Sequence, residues 1–317
     1  MSLIDQLADS SALRINRSED FDQFRSIERL ADARSIPLEL RGFAAAFATV
    51  TLKSCTVFLQ RTFPRILQAM YCTKGAVVGF GMDDEVSVVV DGVAARPPTI
   101  LLARGKAPCE IIEPRANLIA FINFDDVADR GWPGRPDCAQ LIPAQPAQFD
   151  VLRTVTRRVI SLASNSAAFA VPGLIEDLEE TLLQAVDATM HAAPEPGYRR
   201  SNLTQYLGLV RRLDELLALN VGRTLYSADV ARQLGVSVRT LHNAVVAIRG
   251  MSLHRYVRLR RLWSVRQQLA LGSSTAVIKA IALANGFWHM GEFGTLYRNT
   301  FGETPQQTLA AARGRRR

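Results

Sequence analysis

Apolar residues along this chain change their spacing twice. From Phe43 to Phe124 they fall in short runs, FAAAFATVT, CTVFLQ, GAVVGFG, EVSVVV, TILLA and NLIAFINF, separated by turn-forming residues. Asp91-Gly92 after Val88, Val89 and Val90 signals a hairpin, and Pro97-Pro98, Gly105, Pro108 and Pro114 break the other runs. Many short strands at close spacing predict a β-sandwich or small barrel. Residues 1 to about 40 are polar and partly helical in pattern, with Phe21, Phe24, Ile27 and Leu30 at helical spacing. Beyond the strands, Ala128 to Pro146 holds too many glycines and prolines for regular structure. Helices are then predicted from Gln148 to Ser164 and from Gly173 or Leu174 to Met190.

In the last third the period is helical, and its organising stretch is SADVARQLGVSVRTLHNAVVAI, Ser227 to Ile248. Ser227 is placed to cap a helix carrying Val230, Ala231 and Leu234, and Gly235 supplies the left-handed residue that ends it. Val236 and Leu241 flank the cap Ser237 at staple positions, which sets the angle of a second helix. With Leu241, Val245 and Ile248 facing inward, Val238, Arg239, His242 and Asn243 point outward near that helix's start. The pattern returns 51 positions later, counting Gly235 to Gly286, with Ile281, Ala282, Phe287 and Phe293 in the places of Val230, Ala231, Val236 and Leu241. Between the copies, Leu253 to Ala270 suits one long connecting helix. Thr204 is expected to cap the helix that precedes the first copy and runs to about Asn220.

These residues resemble the DNA-binding domain of AraC/XylS-type transcription regulators from about Asn202 to Leu309. Tyr297, Arg298 and Phe301, followed by Gly302 and Pro305, are the most specific part of the likeness, and GFWHMG resembles the ethanolamine-operon regulator branch. The likeness implies an α+β chain with a cupin-like N-terminal β-sandwich or barrel and flanking helices. An all-α C-terminal domain with two helix-turn-helix units joined by a long helix completes the expected fold. The expected divisions are a regulatory and dimerisation domain at 1–190, a linker at 191–202 and a DNA-binding domain at 203–317.

Charge sharpens this picture. From Gly197 onward there are 19 Arg and Lys against 5 Asp and Glu, whereas residues 1 to 196 hold 19 against 25. A basic part beside an acidic one points to a polyanion-binding module fused to something else. Arg239 suits guanine, Asn243 suits adenine and His242 can donate or accept. In the second copy the matching positions are Met290, Gly291, Gly294 and Thr295, which offer little hydrogen bonding, and His289 stands where a Ser or Thr cap is usual. The expected base readers are therefore Val238, Arg239, His242 and Asn243, with Met290, Gly291 and Thr295 in the second unit. The expected phosphate contacts are Ser237, Arg255, Arg258, Arg261, His289 and Arg298, joined by Arg260, Arg313 and the tail 315–317. Two such helices on one rigid connector would enter successive major grooves about 34 Å apart.

Other chemistry is disfavoured. Cys55, Cys72, Cys109 and Cys138 lie in the acidic part without CxxC spacing, so a reduced thiol fits each better than a metal site, a disulfide or a catalytic nucleophile. The histidines, His191, His242, His254 and His289, all lie outside the strand region, which argues against a metallo-cupin enzyme. No cofactor or metal is expected. Without a leader pattern or a run of about 18 apolar residues, the expectation is a cytoplasmic protein that does not enter membranes.

Leu174, Leu178, Leu182 and Val186 fall four apart on the helix before the linker. Such a stripe serves either packing on its own domain or a dimer seam, and the family resemblance implies dimerisation. The function expected is a sequence-specific, non-enzymatic transcription regulator: a homodimer that binds double-stranded DNA, works with RNA polymerase and is controlled by a small-molecule effector in the N-terminal domain. The alternative is a constitutive DNA-binding regulator whose N-terminal domain serves only dimerisation or a protein partner. Phe58, Phe80, Val88 and Phe121 are candidate pocket positions, though each reads as plain core before it reads as pocket.

Overall fold

The computed structural model describes residues 3–28, 33–127, 130–169, 171–192, 201–220, 225–273 and 275–314. The chain packs as two compact units. One comprises Met1–Ser35, Phe43–Val90 and Ala94–Tyr198; the other comprises Ile36–Gly42, Asp91–Val93 and Arg199–Arg317. Residues 193–200, most of the expected linker, lie outside those described.

Up to residue 192 the chain contains α1 (Leu3–Gln6), β1 (Leu13–Ser18), α2 (Phe21–Glu28), β2 (Ala33–Pro37), β3 (Ala45–Thr51), β4 (Cys55–Arg61), β5 (Arg65–Gly81), β6 (Val88–Val90), β7 (Val93–Ala95), β8 (Thr99–Glu113), β9 (Leu118–Phe124), β10 (Cys138–Pro143), α3 (Pro146–Ala163), α4 (Ser166–Phe169) and α5 (Leu174–His191), all of it in the first unit except Ile36 and Pro37 of β2 and Val93 of β7, which belong to the second. The strands form one sheet in the order β1-β3-β4-β9-β5-β8-β6-β7, with β10 added on β8 and β2 on β5. Asp91 and Gly92, with φ of 48° and 81°, make the tight turn between β6 and β7 that the sequence signals.

Successive residues of a strand face opposite sides, and here both sides are covered. Ala76, Val78 and Phe80 of β5 join Ala120, Ile122 and Phe124 of β9 in a core completed by Phe149, Leu152 and Ile160 of α3 and Leu182 and Val186 of α5. The intervening Val77, with Leu101, Ala103 and Ile111 of β8, belongs to a second core on the opposite face. Two covered faces explain why the strands read as continuous apolar runs rather than as an alternation.

Three expectations are corrected. Gly105 and Pro108 do not end a strand: β8 runs through both for 15 residues, and β5 extends to 17. At Gly105 the φ of 66° accompanies a register shift opposite Thr73 and Ala76, so the glycine absorbs a bulge and pairing resumes beyond it. β10 occupies part of the stretch expected to be loop, pairing Cys138–Pro143 with Arg104–Thr99. The segment before residue 40 contributes β1 and β2 besides the helix around Phe21 and Phe24; Leu30 lies outside the described residues.

The proposed dimer stripe divides. Leu182 and Val186 are fully buried in their own core, so they are not available to a second copy, whereas Leu174 and Leu178 are half-buried. The reason is the anchoring of α5: the Glu179 carboxylate accepts from the Lys53 and Ser54 backbone N–H groups at 2.7 and 2.9 Å. The same carboxylate, after burial itself, helps push the Cys55 thiol up to about 12.

The second unit contains α6 (Ser201–Leu219), α7 (Ser227–Gln233), α8 (Val238–Arg249), α9 (Leu253–Ala270), α10 (Ile278–Ala284), α11 (Met290–Phe301) and α12 (Pro305–Gly314). Leu241, Val245 and Ile248 are fully buried, as their spacing predicts. Thr204 lies inside α6, which starts at Ser201, so it caps nothing.

Between α6, α8 and α9 lies a buried polar knot. The Arg249 guanidinium, fully buried, pairs with the Asp214 carboxylate at 2.5 Å, and the Tyr256 hydroxyl donates to the same carboxylate. Arg260 approaches Asp214 at 3.9 Å, and Arg249 also sits 5.1 Å from the centre of the Tyr256 ring. Burial and the neighbouring carboxylate raise the Tyr256 pKa well above its usual range, so the phenol stays a donor. Breaking a buried pair by removing one partner strands the other charge. Asp214→Ala should therefore cost about 3 to 5 kcal/mol in urea unfolding of the full chain; a loss below about 1 kcal/mol would show that the knot is not what holds these helices.

Candidate nucleic-acid interface

Both helix pairs of the second unit are closed by the same device. In the first, the Val236 N–H donates to the Ala231 carbonyl and the Gly235 N–H to the Arg232 carbonyl; in the second, Phe287 donates to Ala282 and Gly286 to Leu283. This is the paired bonding of a Schellman turn, and it requires a left-handed residue, met by Gly235 and Gly286 with φ of 71° and 81°. The internal repeat is thus structural, down to individual hydrogen bonds.

The helices that follow begin differently. The Thr240 N–H donates to Ser237 Oγ at 3.0 Å, capping α8. The hydroxyl also meets Thr240 Oγ1 at 2.8 Å, so its hydrogen-bonding capacity is partly spent on the cap. His289 occupies the equivalent place before α11 and makes no side-chain cap. Ser227 was expected to cap α7; instead Tyr226 precedes the helix, Ser227 is its first residue and no side chain caps it.

Val238, Arg239, His242 and Asn243 are all exposed, together on the face of α8 opposite its buried Leu241, Ala244 and Val245. The helix start presents three hydrogen-bonding side chains and one small apolar one, which is what reading a groove edge requires. On α11 the corresponding face is almost bare. Met290 is half-buried, Gly291 is open to solvent, and a Cβ built at Gly291 or Gly294 would meet nothing within 4 Å. The Thr295 hydroxyl donates back to the Gly291 carbonyl at 3.1 Å. This face has fewer side-chain donors than that of α8 and more room.

The arginines expected at phosphate separate into groups. Arg255 and Arg298 are exposed, as is His289. Arg298 stands between Tyr297 and Phe301, whose buried rings pack 4.5 Å apart, so the aromatic pair fixes the helix that carries it. Arg258 is half-exposed and bridges to Glu292 of α11 at 3.2 Å. Arg261 is half-buried and donates to the Leu225 carbonyl; burial lowers its pKa. Arg260 belongs to the Asp214 knot, and Arg313 donates to the Ser273 carbonyl at 3.1 Å. A guanidinium tied to the fold has less to offer a phosphate than one in water, which corrects the expected roles of Arg260 and Arg261. Residues 315–317 lie outside those described.

One feature escaped the residue pattern. The two turn glycines are 51 positions apart, but the two cap residues, Ser237 and His289, are 52 apart. The second turn is one residue longer, and the added residue is Trp288, exposed to 63%. Comparing the two caps rather than the two glycines would have found it. Among the described residues no group of three or more His, Cys, Asp or Glu is placed to hold a metal ion.

The family model matches within this unit, and the curated relatives match about a third of the chain. Residues 230–311 match the family described as helix-turn-helix domain. XylDLEGF operon transcriptional activator 2 of Pseudomonas putida is 34% identical over 102 residues, which is 31% of this chain and 64% of that protein. A probable thc operon regulatory protein of Rhodococcus erythropolis is 32% identical over 103 residues, 32% of this chain and 31% of that protein. The crystal structure of a transcriptional regulator from Chromobacterium violaceum, described among AraC-type DNA-binding-domain-containing proteins, is 28% identical; it covers 34% of this chain and 96% of that one, with a TM-score of 0.31. The chain thus spans less than two thirds of the length of these curated relatives.

Proposed function

We propose that this chain is an AraC/XylS-type, sequence-specific transcription regulator whose first helix-turn-helix unit reads bases and whose N-terminal unit receives a small-molecule effector; the match of residues 230–311 to the helix-turn-helix family and the likeness to transcriptional activators support that reading. The observation that carries the DNA half is the exposed cluster of Arg239, His242 and Asn243 at the capped start of α8, in a segment with 19 basic against 5 acidic residues. Bidentate Arg and Asn contacts give sequence preference, while Arg298 and Arg255 contact phosphate and set register without reading sequence.

For the effector half, the support is a narrow apolar cleft of about 40 Å³ in the first unit. Val88, Val90, Leu101, Ile111 and Phe121 are among its walls, and Arg96 adds a charged group. Apolar walls with few polar groups are ordinary features of a ligand site, and side chains of this cleft must move apart to admit a metabolite. Phe80 borders the cleft while its ring packs against Phe149, 6.1 Å between centres, and Phe58 is not among the lining residues. Ligand binding shifts the population between conformers that differ in DNA affinity, with no reaction catalysed. Dimerisation and action on RNA polymerase at the promoter belong to the same proposal; for the former, half-buried Leu174 and Leu178 are the part of the α5 stripe not sealed in its own core. Such a protein works beside the chromosome in the cytoplasm, and no helix of the described residues is long and apolar enough to cross a membrane.

Two measurements test the halves separately. Arg239→Ala should cost about 1 to 3 kcal/mol on the preferred duplex and little on random DNA, whereas Arg298→Ala should weaken both alike and reduce the salt slope by about one unit; equal losses on both duplexes for Arg239→Ala would defeat the assignment. Screening the full chain against apolar metabolites should give a saturable thermal shift that Val88→Phe, by narrowing the cleft, removes. A shift left intact in Val88→Phe would move the effector elsewhere.

A further inference from the structure

The extra residue in the second turn has no structural task. Phe287, beside it, already fills the staple position: it is buried and its ring meets Phe293 at 5.2 Å. Trp132 and Trp263 are buried and donate to the Asp187 carboxylate and the Pro37 carbonyl. Trp288 is exposed to 63%, and its indole N–H meets no acceptor among the described residues. The largest side chain available is thus held in water at the mouth of a helix whose outward face has glycine at Gly291 and Gly294.

That bareness is the second observation. Gly291 and Gly294 leave open space where side chains would stand, and Thr295 spends its hydroxyl on its own helix. A helix with glycine at two of its four outward positions brings its backbone close to whatever it docks on, and close docking carries Trp288 to the same surface. The surrounding segment is strongly basic, and Trp288 is followed by exposed His289. A polyanion with apolar patches fits this combination better than an apolar protein groove does.

Resting on the regulator reading above, we propose that Trp288 is a DNA-contacting residue of the second unit: its ring lies against deoxyribose and thymine C5-methyl groups at the edge of the major groove, giving the second unit apolar contact where the first has hydrogen bonds. Such contact favours thymine-bearing steps without bidentate readout. It also rationalises the longer turn, which lifts the ring clear of the staple.

The test uses the full chain and a duplex selected from a random-sequence library by that chain. Trp288 is the exposed emitter of the three tryptophans, so acrylamide should quench the free protein markedly and the DNA-bound protein much less. Trp288→Phe should abolish that difference. Trp288→Ala should bind the selected duplex about tenfold more weakly with an unchanged thermal midpoint, because the side chain is not packed, and Trp288→Phe should restore most of the affinity. If anisotropy shows the duplex bound while the indole remains equally quenchable, Trp288 lies off the DNA and serves another partner such as polymerase; that overturns this inference and leaves the regulator reading intact. If no duplex is selected or bound at all, the regulator reading fails, and this inference with it.

Discussion

The C-terminal unit depends on a carboxylate shared between helices that are far apart in sequence. Asp214 of α6 receives Arg249 from the end of α8 and Tyr256 from the start of α9. A charge removed from water is costly unless its partners are fixed, so the three side chains tolerate very few relative arrangements of their helices. The consequence is directional: once the end of α8 is pinned, its exposed start, with Arg239, His242 and Asn243, is aimed. Hydrophobic contact from Leu241, Val245 and Ile248 supplies the attraction, but apolar packing alone specifies an angle less sharply than a shared hydrogen-bonded charge does.

The two helix-turn-helix units share that scaffold and have diverged in chemistry. Their Schellman turns match bond for bond, which is why the repeat is visible at all. Past the turn the first unit has a capped helix with donors and acceptors at its tip, while the second has no side-chain cap and carries glycine at two of its outward positions. The proposed division of labour rests on that contrast: hydrogen-bonding edges discriminate bases, and a helix with outward glycines gains close approach. The N-terminal unit has a buried ion pair of its own, Arg65 with Glu113 at 2.8 Å, and, apart from it, the narrow apolar cleft on which the proposed effector site rests.

Most of the C-terminal unit was legible in the sequence because its signals are local. Gly235, Ser237 and the Leu241–Val245–Ile248 spacing each act within one or two turns of helix, and the structure places them as their positions require. The knot was not legible, because Asp214, Arg249 and Tyr256 are ordinary surface residue types until three helices bring them together; Arg260 accordingly passed for a phosphate contact. In the N-terminal unit the apolar runs marked strands but not their lengths. Gly105 and Pro108 are breakers by local preference, and only pairing with β5 shows that a bulge lets β8 continue. The stripe of α5 could not by itself reveal whether it faced its own domain or another copy. Glu179, buried against the β3–β4 turn, resolves that for Leu182 and Val186. Trp288 was hidden for a different reason: aligning the repeat on its glycines conceals a residue added before the cap.

The central claim is that sequence discrimination resides in the first unit and is carried by α8. It is tested most directly by substituting every base pair of a selected duplex in turn and measuring affinity of the full chain at one salt concentration. The account predicts losses of about 1 to 3 kcal/mol per substitution clustered in the half-site that faces α8, and weaker, thymine-biased losses in the other. Stringency equal in both half-sites, or concentrated in the one facing α11, would contradict it.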